Sequence, residues 1–281
     1  MDELLREIQL NMLEALKVFD CICRQNDIRY SLHGGTLLGA VRHKGFIPWD
    51  DDLDVFMTRK DFDCFLDAWD KDHPSGFFLQ TKEAEEDYTR SFAKIRKEHT
   101  LFLQETENPE TIHTGVFIDI FPVDRIPDKG INYYTFLWNC MKYQLYTREF
   151  IPPTGNWLVK TVSGILLKKT SHKNRLIKRK KLYRKITNYN NQTGLRWAVL
   201  ETPWHIKHSF SPNMFDTYSE VLFEDKEYMC VGNWKELLET WYGDYMQMPP
   251  EKERVWVHHP KAVDLERDYE EYIKQEGKES L

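Results

Sequence analysis

The chain has 281 residues, 41% of them hydrophobic and 14% aromatic, which excludes a disordered chain and leaves one large domain or two modest ones. A net charge of -6 argues against a general nucleic-acid binder, and no nucleic-acid partner is expected. The five cysteines, Cys21, Cys23, Cys64, Cys140 and Cys230, lack the paired spacing of a zinc site. Their odd number suits a reducing compartment better than a disulfide framework.

In chain order, residues 2–25 place Leu5, Ile8, Met12, Leu16 and Phe19 at three- and four-residue steps, the pattern of an amphipathic helix. The opening "MDELLREIQL" is acidic where a signal peptide is basic, and "INYYTFLWNCM" and "TVSGILL" are shorter than the roughly 18 apolar residues of a membrane span. A cytoplasmic protein is therefore expected. "IRYSLHGG" reads as a short strand ending in paired glycines, "TLLGAV" as the start of a helix, and "DLDVFM" as a strand. "DFDCFLDAWD" puts Phe62, Phe65, Leu66 and Trp69 on one helical face. "FFLQ", "FAKIR" and "TLFLQ" have strand composition, and "GVFIDIF", bounded by Gly115 and Pro122, is the clearest strand. Residues 131–200 read as helical, interrupted by "IPPTG"; "NWKELLETWYG" reads as a helix capped by Asn233 and stopped by Gly243.

Asp50, Asp51, Asp52 and Asp54 crowd like charges into five positions, which costs stability unless water or a cation absorbs them. A solvated acidic loop is one explanation. A calcium loop fails, because Val55 stands where glycine is required and Asp61 where glutamate is. Strand parity offers a third. Asp52 and Asp54 share a face with Cα atoms about 6.6 Å apart, so both carboxylates converge on metal while Leu53 and Val55 enter a core. Asp50 falls in the entering loop and Asp51 points elsewhere. Asp119, between Ile118 and Ile120, is an acid in a buried-type strand, costly unless paired or metal-bound. Gly34, Gly35 and Thr36 stand at a strand-to-helix junction, where backbone N–H groups favour phosphate.

A glycine pair, an acid-apolar-acid strand and a third acid on a neighbouring strand resemble the nucleotidyltransferase superfamily. More narrowly, "GGTLLGAVRHKGFIPWDDDLD" resembles the signature of the LicD family. "FAKIRKEHT", "HTGVFIDIFPVD" and "YGDYMQMPPEKER" followed by two histidines fit that family too, whereas residues 131–215 carry little that matches. The resemblance implies an α+β fold: a nucleotidyltransferase-like core with a mixed sheet flanked by helices, plus a helical addition. The corresponding division is a catalytic core over 1–130, a mainly helical acceptor or membrane-docking region over 131–215, and a C-terminal segment, 216–281, packing back on the core.

The resemblance also implies a CDP-linked donor, most characteristically CDP-choline. Its phospho-headgroup would pass to a hydroxyl of a lipid-linked glycan, such as a teichoic acid or lipopolysaccharide precursor, with release of CMP. Donors carrying ribitol, glycerol or ethanolamine stay open, as does a non-catalytic glycan- or choline-binding protein. On this reading Asp52, Asp54 and Asp119 hold one or two Mg²⁺ ions, with Mn²⁺ able to substitute, and are the catalytic residues. Asp119 is the first candidate for the base and Asp50 the second. Gly34, Gly35, Thr36, Arg42, Lys94 and Arg96 would hold the donor phosphates. His113 precedes the Asp119 strand and is a candidate ligand contact, while His258 and His259 lack a third partner for zinc.

Trp197, Trp204, Trp241 and Tyr242 are candidates for holding a quaternary ammonium by cation–π attraction. Lys168 to Lys185 contains ten Lys or Arg and no acid, directly after "WLVKTVSGILL". Region 157–185 is either a solvated helix or a contact with anionic membrane or a lipid-linked, phosphate-bearing acceptor.

Overall fold

Helix α1 (Glu3–Gln25) buries the stripe Leu5, Ile8, Met12, Leu16 and Phe19 that its periodicity demands. In the computed structural model, which describes residues 3–152, 156–256 and 258–279, it is followed by β1 (Ser31–Leu32), α2 (Gly34–His43), β2 (Asp54–Thr58), α3 (Arg59–Lys71), β3 (Phe77–Gln80), β4 (Ala93–Lys97), β5 (Leu101–Leu103) and β6 (Phe117–Ile126). Then come α4 (Ile131–Arg148), α5 (Trp157–Lys168), α6 (His172–Thr187), β7 (Arg196–Val199), α7 (Pro203–Lys207), β8 (Tyr218–Phe223), β9 (Lys226–Val231), α8 (Trp234–Tyr242), β10 (Ala262–Asp264) and α9 (Tyr269–Glu279). The chain forms two compact units: residues 1–87, 92–122 and 214–281 make the first, and 88–91 with 123–213 the second.

The first unit is built on a mixed sheet in the order β1-β2-β6-β4-β3, flanked by α1, α2 and α3. Two small antiparallel pairs, β5 with β10 and β8 with β9, complete it. Val55, Ile95 and Ile118 are fully buried, so each sheet strand turns apolar side chains to the core. Asp54, Lys94, Arg96 and Asp119 stand at positions next to them along β2, β4 and β6. Thr58 caps α3, accepting from the Asp61 N–H and fixing the turn out of β2.

The second unit packs α4 against α6 around Ile126, Phe136, Cys140, Ile186, Ala198 and Ile206. Leu145, Tyr146, Leu167 and Leu182 form a second small core. Among the described residues, no helix is long and apolar enough to cross a membrane.

Several boundaries differ from the sequence reading. Strand β2 begins at Asp54, because the Asp52 carboxylate accepts its neighbour Leu53's N–H at 3.0 Å and holds that stretch as loop. Helix α2 begins at Gly34, two residues before Thr36. Strand β6 runs through Pro122 instead of ending there. Pairing to β4 ends at Ile120 and pairing to β7 starts at Val123, so the N–H that proline lacks falls where the partner changes. The stretch read as helical holds the strand β7 after α6, and residues 153–155 of its "IPPTG" break lie outside the described residues.

Candidate metal and donor site

One oxygen each from Asp52, Asp54 and Asp119 can be chosen so that all lie within 4.8 Å of one another, a spacing that suits a divalent cation. Three elements bring them together. Asp54 opens β2, Asp52 lies in the loop before it, and Asp119 sits on the neighbouring strand β6, its N–H donating to the Leu53 carbonyl at 2.9 Å. The Thr36 hydroxyl accepts from the Asp54 N–H at 2.8 Å, and the His33 N–H donates to the Asp54 carbonyl. The start of β2 is thereby tied to the first turn of α2.

The glycine pair makes room for this junction. Gly34 has φ +53°, and a Cβ there would lie 2.8 Å from Asp54 Oδ2. A Cβ on Gly35 would lie 2.4 Å from Asp50 Oδ2. Two carboxylates therefore abut the N-terminal turn of α2, whose first N–H groups have no intrahelical acceptor.

Crowding and burial shape the charges. Burial, reinforced by Asp52 and Asp51, pushes the Asp50 carboxyl up to about 7. Burial and then Asp119 push Asp52 up to about 6, opposed by His258 and Lys94. Asp54 is raised well above the ordinary carboxylate range by burial and by its three acidic neighbours, and its buried Oδ1 has no hydrogen-bond partner among the described residues. The residues thus fit a cation: crowded carboxylates of like charge, one with a buried oxygen that has no hydrogen-bond partner among the described residues, are costly until it binds. They form the one group of three or more His, Cys, Asp or Glu side chains spaced for a metal among the described residues.

The proposed phosphate-binding residues fall in different places. Lys94 stands opposite Asp119 in the β4–β6 register and donates to its Oδ1 at 2.6 Å, with its ammonium 3.3 Å from the Phe117 ring centre. Burial lowers its pKa against the opposing pull of Asp119. Arg96 is fully buried and donates to Gln80, the Gly115 carbonyl and Glu107, so its guanidinium is taken up in joining β3, β4 and the segment before β6. Arg42 lies in the last turn of α2, about 12 Å along the helix from Gly34 at about 1.5 Å per residue, and donates to His43 and to the Tyr245 and Gln247 carbonyls. His113 is buried against Phe78, and its Nδ1 accepts the Gly115 N–H; burial and then Arg96 lower its pKa to about 4.

Of the four aromatic candidates, Trp241 packs edge-on to His33 at 4.4 Å. The Tyr242 hydroxyl lies 3.8 Å from the position a Gly34 Cβ would take, and Asp54, Asp50 and Asp52 add to burial in raising its pKa. Trp197, under the Arg125 guanidinium, and Trp204, stacked on His208, belong to the second unit.

Sequence reasoning passed over a pair that the fold assembles. Asp51 is fully buried and accepts the His258 N–H at 3.1 Å; the His258 ring lies 3.4 Å from Asp51 through Nδ1 and 3.9 Å from Asp52 through Nε2. These acids outweigh burial and raise the His258 pKa. Asp51 lies in the loop before β2 and fixes the imidazole beside Asp52. In sequence His258 stands 207 residues from Asp51, so no local pattern joins them.

Comparison with known proteins adds to this geometry. The family described as LicD/FKTN/FKRP, nucleotidyltransferase domain, matches residues 27–161. The chain is 32% identical over 273 residues to the lipopolysaccharide cholinephosphotransferase LicD of Haemophilus influenzae, covering 93% of this chain and 98% of that protein. A shorter match, 53% identical over 34 residues, joins it to the ribitol 5-phosphate transferase FKRP of Homo sapiens, covering 12% of this chain and 7% of that protein.

Proposed function

The chain belongs to the LicD/FKTN/FKRP family of transferases, and on that premise we propose that it moves phosphocholine from CDP-choline to a hydroxyl of a lipid-linked glycan, releasing CMP. The observation that carries the reading is the convergence of Asp52, Asp54 and Asp119 beside the glycine-opened N-terminus of α2. In this reading those three carboxylates hold Mg²⁺, one ion or two, with Mn²⁺ as a substitute. A cation there supplies charge neutralisation for the diphosphate and for the oxygen on which CMP leaves.

The chain's own residues do the rest. Gly34 and Gly35 allow a diphosphate to approach the N–H groups of the first α2 turn. Lys94 fixes the Asp119 carboxylate and adds positive charge beside it. Of the two candidate bases, Asp119 is engaged by Lys94, whereas Asp50 stands outside the triad against the first turn of α2 and is the one that takes the acceptor hydroxyl's proton in this reading. Trp241 and Tyr242 present aromatic faces for the choline cation.

The reading places the enzyme at the cytoplasmic face of an anionic membrane, contacted through region 157–185. Residues 123–213 carry 17 Lys or Arg against four Asp or Glu, in a chain of net charge -6. On α6 the buried Arg179 and the internally bonded Arg175 belong to the fold, while Lys173, Lys180, Lys181, Arg184 and Lys185 are exposed. Those five form the contact face.

A donor panel tests the proposal. With Mg²⁺ present, CDP-choline should raise the melting temperature in proportion to the logarithm of its concentration, more than CDP-ribitol, CDP-glycerol or CDP-ethanolamine do. Stabilisation by CDP-ribitol and none by CDP-choline would move the assignment toward the chemistry named for the FKRP relative.

A further inference from the structure

Helices α4 and α5 face each other across a cavity of about 550 Å³, within the range of small-molecule sites. Two rows at four-residue steps make its walls: Leu137, Met141 and Leu145 from α4, and Leu158, Val162 and Leu166 from α5. Such walls offer a nucleotide or a sugar almost nothing to bond. Two polar lining residues, Gln144 and Arg148, are bonded within the fold, and the atoms they leave without a partner among the described residues have no surface open to the cavity. Gln144 donates through Nε2 to Ser91 and to the Leu200 carbonyl, leaving its Oε1 unsatisfied; Arg148 bonds Glu201 through Nη2, leaving its Nε unsatisfied.

The surroundings fit an amphiphile. Trp138 and Leu158 line the cavity and are 44% and 53% exposed, and Trp157, beside Leu158 at the start of α5, is 76% exposed. Large apolar side chains left in water within so basic a unit match a surface that meets anionic lipid. We infer that the α4–α5 cavity binds a hydrocarbon chain of the lipid-linked acceptor. This inference rests on the acceptor class proposed above and not on which CDP-alcohol is the donor.

The probe is 11-(dansylamino)undecanoic acid, titrated by fluorescence into the full chain without donor or metal. Saturable binding is expected, displaced by dodecyl phosphate and not by butyl phosphate. Val162→Trp, which fills the cavity, should weaken probe binding by at least about tenfold, equivalent to ~1.4 kcal/mol. It should raise KM for a lipid-linked acceptor while leaving turnover of a short soluble acceptor unchanged. Leu166→Phe, a smaller intrusion, serves if Val162→Trp does not fold. Lys180→Gln with Lys181→Gln should leave probe binding intact, which separates the cavity from the anionic surface contact. Absence of saturable binding, equal displacement by butyl phosphate, or an unchanged KM for the lipid-linked acceptor in a folded, cavity-filled variant would overturn the inference. Failure of CDP-choline as donor would leave the probe result standing.

Discussion

Gly34 and Gly35 set how closely two carboxylates approach the first turn of α2, and the residues beyond them divide the labour. Asp54→Asn removes charge from the triad and relieves repulsion among Asp50, Asp52 and Asp119. Mn²⁺ affinity, read by electron paramagnetic resonance, should fall by more than about tenfold, ~1.4 kcal/mol, while the metal-free melting temperature holds or rises. Gly35→Ala acts differently, since its Cβ would meet Asp50 Oδ2 at 2.4 Å and Asp50 lies outside the triad. Its expected signature is a kcat loss of about tenfold or more with Mn²⁺ affinity nearly intact; equal losses in both would place Asp50 on the metal. Asp119 was legible because flanking isoleucines are a local signal, and Asp54 because it opens an apolar strand; Asp52 joins them from the loop before β2, where strand alternation does not hold. His258 was not legible, because what brings it to Asp52 is the buried Asp51, far away in sequence.

At the scale of elements, the loop entering β2 stores a pH dependence. Asp50 and Asp52 titrate near 7 and 6 in the fold, and Asp54 is raised as well, against an ordinary value of 3.8. Between about pH 4 and 7 the folded state therefore holds more protons than the unfolded chain, so these groups subtract stability as pH rises through that window. His113, lowered to about 4, acts in the opposite sense between its folded value and 6.5, so the comparison must be between variants. The difference in melting temperature, Asp54→Asn minus wild type, should grow from pH 5 to pH 8 without metal and should shrink when Mg²⁺ is added at pH 8. A difference independent of pH would show that Asp54 carries no raised titration. The sheet itself was readable as far as β6, whose composition is unmistakable. Its passage through Pro122 was not, because sequence does not reveal that the pairing partner changes there.

The whole molecule is electrically divided, with 17 Lys or Arg against four Asp or Glu in residues 123–213 of a chain that is net negative. The basic run was legible as charge; which of its members are structural was not, since Arg175 and Arg179 are engaged only once α6 has packed. Replacing Lys180, Lys181, Arg184 and Lys185 with glutamine should reduce sedimentation with anionic vesicles, and binding by the wild type should weaken as the Debye length falls from about 10 Å at 0.1 M salt to about 3 Å at 1 M. Unchanged vesicle binding would leave α6 a solvated helix. The central claim is narrower: the carboxylate triad supports transfer of phosphocholine from CDP-choline. ³¹P nuclear magnetic resonance follows it directly, in a mixture of protein, CDP-choline, Mg²⁺ and a glycan acceptor. The diphosphate signals should give way in equal amounts to CMP and a phosphodiester on the acceptor, with no change in EDTA or with Asp54→Asn. Conversion that persists in EDTA, or a diphosphate left untouched while CDP-ribitol is consumed, would contradict it.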